Sequence, residues 1–219
     1  MTLPTRTYAA FLFDMDGTIL TSIASAERTW TKWAIAHGLD AATFVPTIHG
    51  VQSVETIRRL GLPGVDPVAE AAAITAAEME DVDDVKPIAG AAAFLASLPP
   101  ERWTIVTSAP RALAEVRLKA AGLPIPATMI AAEDVANGKP APDCFLLGAE
   151  RLKVAATDCL VFEDAAAGIA SAEAAGADIL ILTETHQPGH LPDAGHPSVR
   201  NYTGIAVIEG YDGGMKLTR

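Results

Sequence analysis

The chain is short of cysteine, of positive charge and of long apolar runs, and each shortage narrows what it does. Its two cysteines, Cys144 and Cys159, fall in segments that read as a core helix and a core strand, where buried free thiols are the default. That points away from a disulfide scaffold and toward a reducing compartment. Lys and Arg number 16 against 27 Asp and Glu, a formal net charge of -11, whereas nucleic acid and anionic membranes both require a basic face. Neither is expected as a partner, although a small phosphorylated ligand needs only a local positive site. No apolar run approaches the about 18 residues of a membrane span, and no basic-then-apolar leader opens the sequence. The expectation is a cytoplasmic protein.

What is present is periodicity. At 219 residues and 50% hydrophobic content, the chain can bury a full core and carry a modest second domain. From Trp103 onward short apolar runs alternate with helical stretches, which is the pattern of βα units around a parallel sheet. Strands are expected at 103–107, 128–131, 159–162 and 178–182, and helices at 111–121, 143–152 and 165–175, with Gly122 and Gly176 as stops. The fold class is therefore α/β, a doubly wound parallel sheet. Residues 21–85 differ. There, 25–37, 54–60 and 68–79 repeat a helical period without any strand-like run, so a helical cap over 21–85 should be inserted into a core built from 1–20 and 86–219. Trp30 and Trp33 are expected in the core of that cap. Residues 187–198, with His186, His190 and His196 in or beside them, read as a solvated loop without metal-type spacing; 204–208 reads as a late edge strand, and 211–219 carries no legible chemistry.

Four sites stand at strand ends or helix starts. Asp14-Met15-Asp16-Gly17-Thr18 follows the apolar run 9–13, and open α/β sheets bind ligands at the carboxyl ends of their strands. Side chains alternate in extended chain, so Asp14 and Asp16 project to one side. On its own the pair reads as a surface Asx turn. Thr107-Ser108 is a hydroxyl pair at a strand-to-helix junction, suited either to phosphate or to plain N-capping. Lys139 is held in Gly138-Lys139-Pro140-Ala141-Pro142, a stiff loop that presents its ammonium. Glu163-Asp164 repeats the placing of the first acid pair, and carboxylates at neighbouring strand ends repel unless a cation lies between them. Mg²⁺ is the natural occupant, since it binds through a few carboxylates plus water and phosphate.

In order and spacing these motifs, with Ala167-Gly168-Ile169 behind the last, resemble the haloacid dehalogenase superfamily of phosphohydrolases, and the helical insertion resembles its class 1 cap. The resemblance spans nearly the whole chain. It implies that Asp14 is the nucleophile, forming an aspartyl-phosphate, and that Asp16 is the general acid and then the base. It implies Mg²⁺ held by Asp14, the Asp16 carbonyl and Asp164, with Glu163 in support, and phosphoryl oxygens bound by Thr107, the Ser108 amide and Lys139. Asp16 argues for a phosphoester, because dehalogenases and phosphonate hydrolases lack an acid there. Relatives often carry Asp-Ser where this chain has Thr21-Ser22, a departure expected to alter the hinge.

The cap motifs around Glu27-Arg28-Thr29-Trp30 and Ile48-His49-Gly50 are similar to those of bacterial sugar and hexitol phosphatases and 2-deoxyglucose-6-phosphate phosphatases. His49-Gly50 would then face the active site, with His49 donating to sugar hydroxyls or else simply capping a helix. Small sugar or polyol monophosphates are the expected substrates, and a monomer the expected state. Two alternatives stay open: a β-phosphoglucomutase-like mutase, whose cap His and Arg would fall near Ala26 and Ser53, and a catalytically silent module on the same fold.

Overall fold

The computed structural model describes residues 3–186, 195–211 and 213–219. Strand β1 (Ala10–Phe13) passes through β2 (Leu20–Thr21) into a run of helices, α1 (Ile23–Ala36), α2 (Ala41–Phe44), α3 (Ser53–Leu60) and α4 (Pro67–Glu80), and returns through β3 (Lys86–Pro87). Helix α5 (Ala91–Ala96) follows, then β4 (Trp103–Val106), α6 (Arg111–Ala120), β5 (Met129–Ile130), α7 (Asp143–Arg151), β6 (Cys159–Glu163), α8 (Ala166–Ala175) and β7 (Asp178–Leu182). The chain ends with β8 (Ser198–Val199), β9 (Ala206–Glu209) and β10 (Met215–Thr218).

Six strands form one sheet in the order β5-β4-β1-β6-β7-β8, and every pairing in it is parallel. From β1 the chain first builds outward on one side through β4 and β5, then crosses to the other side for β6. The switch point therefore lies at the carboxyl end of β1, between β4 and β6. All residues of β1, β4 and β6 are buried, as expected of a parallel sheet covered on both faces, where strands read as continuous apolar runs. Phe11 and Phe13 enter one core layer with Phe94, Trp103, Phe162 and Tyr202, while Leu12 enters the other with Val106, Phe145, Val161 and Ile169. The Phe13 and Phe162 rings stack 4.4 Å apart, directly beneath the residues that leave the sheet as Asp14 and Glu163. A close-packed aromatic layer thus fixes the strand ends from below.

The inserted helices bury their own small core, with Trp30, Trp33, Val45, Ile48, Ile57 and Ile74 in contact, as expected for the two tryptophans. Trp33 Nε1 donates to Oε2 of Glu70 at 2.8 Å, joining α1 to α4. The two crossings between insertion and sheet pair with each other: Leu20 faces Pro87 and Thr21 faces Lys86 in a short antiparallel ribbon.

Two expectations change at the end of the chain. Residues 206–209 pair antiparallel with 215–218 and so form a separate hairpin, rather than an edge strand of the main sheet. Its β10 lies in the tail that looked featureless, where Met215 and Leu217 are buried and Lys216 and Thr218 are half-buried. One edge of the main sheet is instead β8, whose first residue, Ser198, closes the stretch expected as loop. His190 and the rest of 187–194 lie outside the described residues.

Candidate active site

Phe13 pairs with Ile105 on one side and Phe162 on the other, so three neighbouring strands end at one level. Asp14 follows β1, Thr107 follows β4, and Glu163 closes β6 with Asp164 after it. Asp14 N donates to Phe162 O at 2.9 Å and Thr107 N to Ile130 O at 2.9 Å, so ladder bonds hold both backbones in place.

Lys139 enters this row from the loop before α7. Its Nζ donates to Asp14 Oδ1 at 2.6 Å, to Glu163 Oε1 at 2.8 Å and to the Val106 carbonyl at 3.1 Å. It also stands 5.0 Å from the centre of the Phe145 ring. An ammonium has three protons to donate, and all three are placed. Burial alone pulls its pKa down, but the Asp14 and Glu163 carboxylates outweigh that and hold it above the usual lysine range. The ammonium therefore stays charged although it is 2% exposed.

Glu163 is wholly buried and its oxygens are committed. Oε1 takes Lys139, while Oε2 accepts from the amides of Asp164 and Ala165 at 2.7 and 2.8 Å, at the start of α8. That is where a helix favours an anion. Gly168 makes room for it, since a Cβ there would stand 1.5 Å from Oε1. Asp164 accepts from Thr18 Oγ1 at 3.2 Å and Thr185 Oγ1 at 3.5 Å.

One oxygen from each of Asp14, Glu163 and Asp164 lies within 4.8 Å of the others. Three acids share one ammonium, and the deficit shows at Asp14 and Asp164. Burial, then the Glu163 charge, pushes Asp14 up to about 7 against the pull of Lys139; burial, Glu163 and Asp14 push Asp164 well above the usual carboxylate range. A buried all-oxygen cluster short of positive charge fits a hard divalent cation such as Mg²⁺. Asp14 and Asp164 have the free ligand capacity; Glu163 is the framework that orients Lys139 and the α8 turn.

Asp16 lies beside this cluster, close enough that its charge raises the Asp14 pKa. Its Oδ1 accepts from Ser22 Oγ at 2.5 Å and from Arg117 Nη1 at 3.1 Å. Ser22, expected to matter for the hinge, thus touches the acid itself. Thr107 Oγ1 is turned back to accept from Ala109 N at 3.1 Å, and Ser108 Oγ donates to the Gly50 carbonyl at 2.9 Å. The Ser108 hydroxyl therefore ties the insertion to the sheet, and it does not cap α6, whose first amide at Arg111 is bonded by Glu133 at 3.1 Å.

His49-Gly50 faces the site. Gly50 has φ +76, and a Cβ there would come within 2.8 Å of the Ala165 Cβ. His49 Nε2 stands 3.7 Å from Glu27 Oε1; burial lowers its pKa while the Glu27 and Asp16 charges oppose that. Nearby, Gln52 Nε2 donates to Ala132 O at 3.0 Å. His186 departs from the solvated-loop expectation: its Nε2 lies 3.8 Å from Asp164 Oδ2 with the side chain 18% exposed. Its place follows from β7 ending beside β6, which the loop's composition does not reveal. His196 instead pairs with Glu173 at 2.9 Å. Arg117 and Glu78 were not anticipated at all. Their signal was available, because Arg117 falls four residues after Leu113 and three after Ala114, on the buried stripe of α6.

A family model described as haloacid dehalogenase-like hydrolase matches residues 8–176. Hexitol phosphatase A of Escherichia coli is 40% identical over 78% of this chain and 82% of its own. The 2-deoxyglucose-6-phosphate phosphatase 1 of Saccharomyces cerevisiae is 32% identical over 94% and 93%. In fold, CbbY of Rhodobacter sphaeroides, solved in complex with phosphate, superposes with a TM-score of 0.75 over 90% of this chain and 96% of its own, at 21% identity. The acid-rich switch point and the match over residues 8–176 agree, and the chain belongs to the haloacid dehalogenase-like hydrolases.

Proposed function

We propose that this hydrolase is a magnesium-dependent phosphomonoesterase for small sugar or polyol phosphates, with residues 21–85 acting as a cap on the core formed by 1–20 and 86–219. The observation that carries the reading is Lys139 Nζ bridging Asp14 and Glu163 at 2.6 and 2.8 Å, with Asp164 close enough to share a cation with Asp14. Phosphoryl transfer asks mainly for positioning and charge neutralisation, and this cluster is built for both.

In the reaction so read, a carboxylate oxygen of Asp14 attacks phosphorus and the ester P–O bond breaks. Asp16, protonated, gives its proton to the departing alkoxide. Water then attacks the aspartyl-phosphate, Asp16 takes the proton from that water, and phosphate leaves with Asp14 restored. Lys139, turning one of its three protons from its present acceptors to the substrate, and the Ser108 amide hold the phosphoryl oxygens, with Thr107 shaping that turn. Asp14, Asp164 and the Asp16 carbonyl would hold Mg²⁺, which when bound neutralises phosphoryl charge and orients the group for in-line attack. His49 reaches over the site from the insertion as a donor to substrate hydroxyls. The sugar and polyol assignment is supported by the names of the relatives, hexitol phosphatase A and 2-deoxyglucose-6-phosphate phosphatase 1.

The test is phosphate release from a panel of sugar, polyol, nucleotide and three-carbon phosphates, with and without chelator, for the wild type and Asp14→Asn. Chelator-sensitive turnover of hexose and hexitol phosphates that Asp14→Asn abolishes is the expected result. Retained turnover in Asp14→Asn removes Asp14 as the nucleophile.

A further inference from the structure

Arg117 is a charged residue placed where an apolar one would pack. It sits on the core-facing stripe of α6 with Leu113, Ala114 and Leu118, and is 4% exposed. One end of its guanidinium meets Asp16, Nη1 to Oδ1 at 3.1 Å. The other end meets the insertion, Nη2 lying 3.3 Å from Oε2 of Glu78 on α4. Glu78 is also 4% exposed. Among the described residues, neither Nη2 nor Nε makes a hydrogen bond, so the pairing with Glu78 is one of charge rather than of aligned donors.

That arrangement is a poor way to gain stability. A buried ion pair with unmet donors is no better, as a rule, than apolar groups of the same shape. It is a good way to fix a carboxylate. Ser22 Oγ, just before α1, donates to the same Oδ1 at 2.5 Å, so two donors from distant parts of the chain grip one oxygen of Asp16. The carboxylate plane is then set, and Oδ2 is left among the described residues to carry a proton. Arginine suits the task because its extended planar fork meets Asp16 from one end and Glu78 from the other, a span that the compact ammonium of a lysine at 117 would not cover.

We propose that Arg117, anchored by Glu78 from the inserted helices, is a positioning residue that holds Asp16 for proton transfer to the leaving alcohol. The inference rests on Asp16 being the general acid, as proposed above. It has a consequence that simple structural support lacks. An alkoxide needs a proton to depart, whereas a nitrophenolate leaves without one, so a defect confined to the acid shows on alkyl esters and is nearly silent on aryl esters.

The experiment compares kcat/KM on 2-deoxyglucose 6-phosphate and p-nitrophenyl phosphate for the wild type, Asp16→Ala, Arg117→Met and the double variant, all with saturating Mg²⁺. This parameter reports steps only through loss of the alcohol, so the later hydrolysis of the aspartyl-phosphate, common to both esters, does not enter. Asp16→Ala is expected to lose about 100-fold or more on the sugar phosphate and far less on the aryl ester. Arg117→Met is expected to lose about tenfold or more on the sugar phosphate, with the aryl ester within about threefold, as one part of that same effect. The double variant should be no slower on the sugar phosphate than Asp16→Ala alone. Equal losses on both esters in Arg117→Met, or additive losses in the double variant, overturn the positioning role while leaving Asp16 as the acid. Equal losses in Asp16→Ala overturn the acid assignment and this inference with it. Should circular dichroism show Arg117→Met unfolded, Arg117→Lys, which keeps the cation, is read in its place against the same outcomes.

Discussion

Gly17 and Asp164 occupy one space: a Cβ on Gly17 would stand 2.0 Å from Asp164 Oδ2 and 2.5 Å from its Cγ. Gly17 also holds φ +90, a backbone state open to glycine at little cost. The turn after the first acid pair is thus shaped around the side chain of the last. Gly17→Ala is expected to displace Asp164, raising the Mg²⁺ concentration needed for half-maximal activity by about tenfold or more, with a lower melting temperature. An unchanged magnesium requirement would place Asp164 outside the metal's shell.

Lys139 is the only cation in hydrogen-bond contact with Asp14 and Glu163 among the described residues. Lys139→Met leaves two buried acids facing each other, and breaking such a pair costs about 3–5 kcal/mol. The loss should depend on pH. At acid pH the carboxyls take up protons and the buried charge vanishes; at alkaline pH both must stay ionised or the fold must yield. Urea unfolding of Lys139→Met in chelator is therefore expected to approach wild type near pH 5 and to fall away toward pH 9. Adding Asp14→Asn should recover part of the deficit, since the two sites are coupled.

Much of this was legible in the residue order, and the exceptions share a cause. Strands β1, β4, β6 and β7, and the acids beyond β1 and β6, are local patterns: a continuous apolar run, a turn, a carboxylate. Lys139 was legible because a glycine precedes it and prolines follow at 140 and 142. Arg117 was not, because a lone arginine in a helix reads as solvent-facing unless its phase against Leu113, Ala114 and Leu118 is checked, and its partners are far away in the chain. Glu78 hides in the same way, four residues after Ile74 on the buried side of α4. The β9–β10 hairpin and the place of His186 depend on which segments meet, and short elements carry too few residues to declare that.

With Lys139 beside it and no metal ion in the cluster, burial and the Glu163 charge push the Asp14 carboxyl up to about 7, and a carboxylate must be ionised to bind a metal. Mg²⁺ binding should then expel protons at pH 6 and expel fewer as pH rises through 7. The apparent affinity climbs correspondingly, by up to about tenfold per pH unit for each proton displaced. Calorimetric titrations of Mg²⁺ in two buffers with different ionisation enthalpies measure the proton count. A count that stays flat as pH rises through 7 would mean that Asp14 is not the group whose proton the cation displaces.

Glu78 makes the last case, through stability rather than turnover. Burial pushes its carboxyl up from an ordinary 4.5 to about 7, with Arg117 opposing and the Asp16 charge adding to the rise. Below pH 4.5 the group is protonated in both the folded and the unfolded chain, so nothing is lost there. Between 4.5 and about 7 the unfolded chain sheds a proton that the folded chain keeps, and stability falls by up to roughly 3 kcal/mol. Glu78→Gln, always neutral, lacks that slope. The difference in unfolding free energy, variant minus wild type, is expected to grow across this window and level off above pH 7. A difference that stays flat from pH 4 to 8 would show that Arg117 keeps Glu78 ionised in the fold despite its burial.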